Sequence, residues 1–522
     1  MTRGCIDITP RSLKTAMLTL QQADAVDLLV SKGLFMPSSR RQFLRTFSLA
    51  SLAGTALLRP RQLLPREAAD QRKTESAGTA SDTREEMAKR VREEFNHAWS
   101  GYKQYAWGHD ELRPLSRGYR DWHSVSLYMT PVDALDTMIL MGLDEEAEKT
   151  KDFVAQHLSF DHDISVKNFE ITIRLLGGLL SSYQLTGDKR LLALAEELGN
   201  RLLPAFNSPT GMPYVNVNLK TGAVQDENTN PAEVGTLLIE FGTLSKLTGK
   251  PAYYDKAKQA LVELYKRRSP IGLVGAAINA KTGAWTEPTS HIGGGIDSYY
   301  EYLLKCSLLF GDKDCEKMWR SSVEAVNKYL ADDGPAGLWY GQANMNTGAR
   351  IGTEFGALDA FLPGTLALSG DIDRARRLQE SCYKMWTTFG IEPEELDYSK
   401  MKIAYNGYAL RPEIIESAYY LHHFSKDPRY LDMGHTFFES LVKYCRTETG
   451  YCALRNVETK EKSDQMESFF LAETLKYLYL LFAPAETLDL SKFVFNTEAH
   501  PICKDFSAGR NVGSSPTLSN GA

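Results

Sequence analysis

Cysteine is scarce in this chain. There are seven in 522 residues: Cys5, Cys306, Cys315, Cys382, Cys445, Cys452 and Cys503. No two stand in a CxxC spacing, which argues against a zinc site. No charge of one sign dominates either. The 60 Lys and Arg against 66 Asp and Glu leave a formal net charge of -6, which gives no electrostatic footprint for nucleic acid. The apolar stretch near the start, after Arg40 and Arg41, is too short for a membrane span. What remains is ordinary globular composition, 43% hydrophobic and 24% charged, in a chain long enough for a large core. Aromatics make up 10%, with 25 Tyr and 7 Trp; such rings line sugar sites and fill large cores alike.

"SSRRQFLRTFSLASLAGTALL", Ser38 to Leu58, resembles a bacterial twin-arginine export signal, with its mildly apolar stretch as the signal core. Met36 stands just upstream, so residues 1–35 read as an over-extended start. The polar stretch from about Arg59 to Arg84 reads as cleavage region and linker. The expected organisation is an N-terminal extension over 1–83, a main domain over 84–503 and a disordered tail over 504–522. An exported chain can form disulfides, and Cys445 and Cys452, flanking "RTETGY", are the expected pair.

From Arg84 onward one phrase recurs. "ITIRLLGGLLSSYQLTGDKRLLALAEELGNRLL" is a helix, a turn and a second helix, and "VGTLLIEFGTLSKLTGKPAYYDKAKQALVELY" repeats it. The turns fall near Gly187, Gly249, Gly311, Gly370 and Lys426, a period of roughly 60 residues. A fixed period marks a repeat architecture whose units must stack to bury their apolar faces. First helices are the more apolar and second helices the more charged, so the first belong inside. "TPVDALDTMILMGL" and "MESFFLAETLKYLYLLFA" read as further inner helices and bring the total to about seven hairpins. An open solenoid or a closed all-α toroid, an (α/α) barrel, satisfies this pattern, with short strands such as "GLVGAAINAKTGAW" between hairpins.

Several inner helices begin with carboxylates: Glu170, Glu233, Asp297, Glu413 with Glu416, and Glu467 with Glu473. Most lie about 13 to 17 residues before their turn, at one end of the bundle. A single acid there is accounted for by capping or the helix dipole. Five repeats placing acids at one depth call for a polar cavity, because a ring of carboxylates repels itself unless a cation, a proton or a hydroxyl-rich sugar fills it. Paired carboxylic groups with aromatics suit glycoside hydrolysis, and oxygen-rich sites suit Ca²⁺.

The motifs "GHDEL", "FExxIRxLGGLL", "IDSYYEYLLK", "LRPExxES", "MESFFLAETLKYLYLLF" and "FNTEAHP", in that order, resemble those of glycoside hydrolase family 47, the class I α-1,2-mannosidases. The likeness runs from "HAWSGYKQYAWGHDELRPLSR" to "FNTEAHP", and within the family it is strongest to the ER degradation-enhancing α-mannosidase-like branch. It implies an (α/α)7 barrel with short β-hairpins at one end, Ca²⁺ at its base, and inverting removal of terminal α-1,2-linked mannose. It further implies Glu170 as general acid acting through a water, with Asp297 or Glu413 as base. Glu413 is preferred because Arg411 beside it favours its ionised form. It implies Thr497 as the Ca²⁺ ligand, through backbone carbonyl and hydroxyl. Glu233, Glu416, Glu473 and Glu498 would surround ion and sugar, Phe469 would lie under the sugar ring, and Arg174 would share the face of Glu170. An inverting pair leaves room for water, about 6.5–9.5 Å between the carboxyls.

Two departures bear on specificity and cross-linking. Gly295 stands where the enzymes that trim one specific mannose carry arginine. Cys382 lacks its family partner, so that disulfide is expected to be absent. The expected partner is a mannose-containing oligosaccharide or glycoprotein, met by a monomeric protein in the periplasm or outside a bacterial cell. Two other readings compete: a weakly active, mannose-binding, lectin-like barrel, and another (α/α)-barrel enzyme such as a lyase or epimerase, which would not need the "FNTEAH" ion site.

Overall fold

The computed structural model describes residues 83–507. The expected export signal, the Met36 start and the tail beyond residue 507 lie outside them. In chain order the helices are α1 (Arg84–Tyr105), α2 (Met129–Leu140), α3 (Asp144–His157), α4 (Asn168–Ile171), α5 (Gly177–Thr186), α6 (Lys189–Leu202), α7 (Pro231–Gly235), α8 (Leu238–Thr248), α9 (Pro251–Lys266), α10 (Asp297–Phe310), α11 (Lys313–Tyr329), α12 (Leu362–Ser369), α13 (Ile372–Phe389), α14 (Glu413–Ser425), α15 (Arg429–Tyr444) and α16 (Leu475–Phe482). π-helical segments, Thr172–Leu176 and Phe470–Thr474, lead into α5 and α16, and a 3-10 turn, Leu358–Phe361, leads into α12.

Five of the hairpin turns share a left-handed residue, and three of them share an aspartate after it. Gly187, Gly249, Gly311 and Gly370 end their inner helices at φ of 74°, 73°, 66° and 95°, a region open to glycine and crowded for other residues. Lys426 takes the same conformation at φ 58°. Asp188, Asp312 and Asp371 follow at once, and each carboxylate accepts backbone N–H groups of the next helix. The pair Gly-Asp therefore stops one helix and starts the next.

The outer helices bury one stripe; α6 buries Leu191, Ala195, Leu198, Gly199 and Leu202. The inner α5 is buried without a break from Gly177 to Tyr183. Helices α2, α5, α8, α10, α12, α14 and α16 pack in that order, α2 meets Phe470–Thr474, and α1 lies along α16. The ring is thus closed. Among the described residues the architecture is an (α/α)7 barrel, with α1, α3, α6, α9, α11, α13 and α15 outside.

Short antiparallel sheets join the hairpins where the inner helices begin. The strand Ser165–Lys167, just before α4, pairs with Asn216–Asn218, which pairs with Val224–Gln225. The same plan recurs in Asn228–Thr229, Ala277–Asn279 and Trp285–Glu287, and in Glu354–Gly356, Glu395–Asp397 and Lys402–Tyr405. The last hairpin, Phe493–Phe495 with Pro501–Cys503, follows the far end of α16 and carries its turn into the barrel.

The expected Cys445–Cys452 disulfide is not formed: both are buried free thiols. The Cys452 N–H donates to the Cys445 carbonyl at 2.9 Å. Pairs joined by backbone hydrogen bonds hold their Cα atoms about 1 Å further apart than the alternate pairs of a ladder. Cys306, Cys315, Cys382 and Cys503 are free thiols as well.

Candidate active site

The acids singled out from the sequence converge at the mouth where the inner helices start. Asp297 and Glu413 are the first residues of α10 and α14, Glu233 and Glu170 lie in the short helices α7 and α4, and Glu473 lies in the π-helical segment before α16. Helix N-termini offer unpaired N–H groups and positive dipole ends, which suit carboxylates.

Arg174 is the hub. Its Nε and Nη2 donate to Glu170 Oε2 at 3.1 and 3.0 Å. Nη1 donates to Glu498 and, at 3.4 Å, to Ser468 Oγ. Asp133 lies 3.8 Å away. Burial opposes the charge of this guanidinium, but Glu498, Glu170 and Asp133 hold its pKa well above the usual value. The ring of Phe469 stands 5.7 Å from Arg174 and 5.6 Å from Arg411, between two cations.

Removal from water raises the remaining acids. Burial pushes Glu413 up to about 8, with Arg411 pulling it back. It pushes Glu416 up to about 7 against Lys305, and Glu498 up to about 8 against Arg174. Glu473 is driven well above the carboxylate range by burial and by the charges of Glu498, Glu413 and Glu416. Asp297 rises to about 7 through burial, although the Ser298 N–H donates to its Oδ1 at 2.8 Å. Glu233 is raised by burial and accepts from the Thr229 hydroxyl at 3.0 Å. Glu498, Glu413 and Glu416 act through their charges on Glu473, Glu170 acts on Glu233, and Arg411 acts on both Glu413 and Asp297.

Arg411 acts on Glu413 through its charge and gives its hydrogen bonds to another carboxylate. Arg411 donates from Nε and Nη2 to Glu394, both at 3.1 Å. Glu413 Oε2 is buried without a hydrogen-bond partner among the described residues. Gly295 holds φ 92°, so a side chain there would be strained.

The floor is the turn Asn496–His500. Asn496 Nδ2 donates to the Ile173 carbonyl at 2.9 Å and to Glu240 at 2.8 Å, and its Oδ1 accepts the N–H groups of Glu498 and His500 at 3.0 and 2.8 Å. Ala499 bends the chain at φ 57°. His500 Nδ1 meets Asp136 at 2.7 Å, and Lys476 Nζ reaches Asp136 and the Ala499 carbonyl at 2.7 and 2.6 Å. A Cβ on Gly177 would stand 2.6 Å from Asn496 Nδ2, and one on Gly178 3.1 Å from His500. The glycines of "LGGLL" thus admit the turn. It presents Thr497, whose N–H donates to the Tyr302 hydroxyl at 3.3 Å, beside Glu498.

Asp133, Asp136, Glu240, Lys305, Lys476 and His500 support this floor and were not legible as site residues. A signal existed for two: Asp133 and Asp136 interrupt an otherwise apolar inner helix three residues apart, on one face. Lys305 and Lys476 carry no such mark, because a lysine in a helix ordinarily reads as solvated.

A charged cavity with paired carboxyls, an arginine-held acid and an aromatic wall can protonate a leaving oxygen and activate water. Comparison with known proteins agrees with that chemistry. The model of glycosyl hydrolase family 47 matches residues 94–504. The chain is 40% identical over 459 residues to Alpha-mannosidase I MNS4 of Arabidopsis thaliana, covering 83% of this chain and 73% of that protein. It is 39% identical over 451 residues to ER degradation-enhancing alpha-mannosidase-like protein 2 of Homo sapiens, covering 79% and 77%. It is 38% identical over 450 residues to the endoplasmic reticulum mannosyl-oligosaccharide 1,2-alpha-mannosidase of Rattus norvegicus, covering 80% and 68%. Among solved structures, the alpha-1,2-mannosidase from Trichoderma reesei superposes with a TM-score of 0.74 at 28% identity, over 80% of this chain and 98% of that one. The chain therefore belongs to glycosyl hydrolase family 47 and is a glycoside hydrolase.

Proposed function

We propose that this protein is a Ca²⁺-dependent, inverting exo-α-1,2-mannosidase acting on high-mannose glycans or mannan. The observation that carries the reading is that Glu170, Asp297 and Glu413 all lie where inner helices start, the end of the barrel at which Arg174 and Arg411 flank Phe469. Glu170, oriented by Arg174, serves as general acid, through a water, for the leaving oxygen. Glu413 or Asp297 draws the proton from the attacking water on the opposite face of the sugar. Phe469 supplies the ring under the mannose, and Arg411 braces the wall through Glu394.

The residues fit Ca²⁺. Thr497 carries a hydroxyl and a carbonyl oxygen and stands next to the carboxylate of Glu498 and the Tyr302 hydroxyl, oxygen groups of the kind a hard cation requires. Among the described residues no three His, Cys, Asp or Glu side chains form a ligand cage. In this reading the ion is held by Thr497, with Glu233, Glu416, Glu473 and Glu498 acting mostly through water. When bound there, Ca²⁺ would supply positive charge to the raised acids and a holding point for the mannose 2- and 3-hydroxyls. Export through the twin-arginine-like signal would place the enzyme, as a monomer, where environmental glycans are met.

The test is incubation of the chain from about Asp82 with α-1,2-mannobiose, followed by NMR with and without chelator. Release of β-mannose that stops on chelation is the expected result. Release of α-mannose, or release indifferent to chelation, overturns the mechanism. Calcium-dependent binding without release would favour the lectin-like reading. Glu170→Gln is expected to lower kcat by about 10²–10⁴-fold with KM little changed.

A further inference from the structure

The "GHDEL" motif places Glu111 where the mechanism above does not use it. Glu111 begins the strand Glu111–Arg113, and its side chain is 1% exposed. Leu112 forms an antiparallel bridge with Met466. That register sets Glu111 against Glu467, and their carboxyls are in hydrogen-bond contact. Like charges directly opposed across a bridge repel, so the pair needs a proton between its oxygens. Two donors occupy the other faces of Glu111. Trp122 Nε1–H reaches Oε1 at 2.6 Å, and Arg120 Nη1–H reaches Oε2 at 3.3 Å. Gln465 donates to Glu467.

Both partners of Glu111 lead to the hub. The Trp122 ring lies 5.2 Å from the Arg174 guanidinium. The charge of Glu467 acts on Arg174 and on Arg411, the two cations that flank Phe469. Glu111 thus touches both the Trp122 ring and Glu467, whose charge acts on Arg174.

We propose that Glu111 is a positioning residue that shares one proton with Glu467: the two carboxyls are joined by that proton, Glu111 accepts from Trp122, and through both contacts it holds Arg174 in the orientation that aims Glu170. The assignment rests on the reading of Glu170 as acid for its catalytic consequence, but the protonated state stands independently of it. The charged groups facing Glu111 are Glu467 from the segment before α16 and Arg120 from the paired strand. Burial and then Glu467 push Glu111 up to about 9, against Arg120.

The experiment uses the same mature chain in two measurements. Infrared difference spectra between wild type and Glu111→Gln at pH 7 are expected to show one protonated-carboxyl band, lost in the variant and titrating away in wild type near pH 9. Absence of that band overturns the assignment whatever the substrate is. In kinetics on α-1,2-mannobiose, wild type is expected to lose kcat on the alkaline side, and Glu111→Gln, which keeps a neutral donor, is expected to retain kcat within about threefold and to lack that alkaline fall. Glu111→Ala is expected to lose about 10–100-fold in kcat with KM nearly unchanged. A Glu111→Gln enzyme as impaired as Glu111→Ala, or one with the wild-type alkaline limb, overturns the positioning role. An infrared band without any mannose release would sink the mannosidase reading and leave the proton assignment standing.

Discussion

Arg411 shows how far sequence adjacency carries and where it stops. It lies two residues before Glu413, and adjacency predicts that its charge serves that carboxylate. That charge does favour the ionised form of Glu413, while the hydrogen bonds of its guanidinium go to Glu394, 17 residues away, in a pair with side chains 14% and 3% exposed. Arg174 and Glu170, by contrast, pair as an i,i+4 spacing on one helical face predicts. Local pairs were legible; pairs closed by the barrel were not, because nothing in the spacing says which loop returns to which helix. Arg411→Leu leaves Glu394 buried without its cation and is expected to destabilise the protein by about 3–5 kcal/mol. Arg411→Lys keeps the charge, loses the fork, and should fall between. Urea midpoints of the three proteins check this, and equal midpoints would show that the pair is not structural.

At the scale of elements, the turns were legible because each requires a particular backbone. Gly187, Gly249, Gly311, Gly370 and Lys426 all sit in the left-handed region, at the places the roughly 60-residue period marks. Alternation of apolar and charged helices gave the inner and outer layers for the same reason: one face of an outer helix meets water and no face of an inner one does. The two π-helical segments were hidden, since an extra residue per turn leaves the apolar pattern continuous. Hidden too was the entry of Asn496–His500 into the barrel, although the glycine pair in "LGGLL" is the space it needs. Asn496 ties that turn with both its donor and its acceptor groups. Asn496→Ala removes the bonds to Ile173, Glu240, Glu498 and His500 at once. The expected outcome is a loss of about 10–100-fold in Ca²⁺ affinity and activity with the fold kept. Calorimetric titration with Ca²⁺ and circular dichroism separate that result from simple unfolding.

Over the whole barrel, closing seven hairpins into a ring buries several carboxyls at the end where the inner helices start, and this sets how stability responds to pH. Asp297 and Glu416 are raised to about 7 and Glu413 to about 8, against ordinary values near 4. Each of these groups ionises in the unfolded chain well before it ionises in the folded one. Below the ordinary value both states hold the proton and the difference vanishes. As pH rises from there toward the folded value, the unfolded state alone gains charge, so folding loses stability through that window. Groups with lowered values, such as Asp312, held near 2 by Lys258 and Tyr254 despite burial, have passed through their change before pH 5 and add no slope. The metal-free protein should therefore melt several degrees lower at pH 8 than at pH 5. A cation in the cavity favours the ionised acids, so its stabilisation must grow with pH over the same window. Thermal melts in chelator and in excess Ca²⁺ at pH 5, 6.5 and 8 measure both trends together. A Ca²⁺ shift in Tm that is equal at all three values would mean that Asp297, Glu413 and Glu416 do not share a cavity with the ion. A shift that widens toward pH 8, and narrows in Glu416→Gln, would tie the acid ring to the cation through the closure of the barrel.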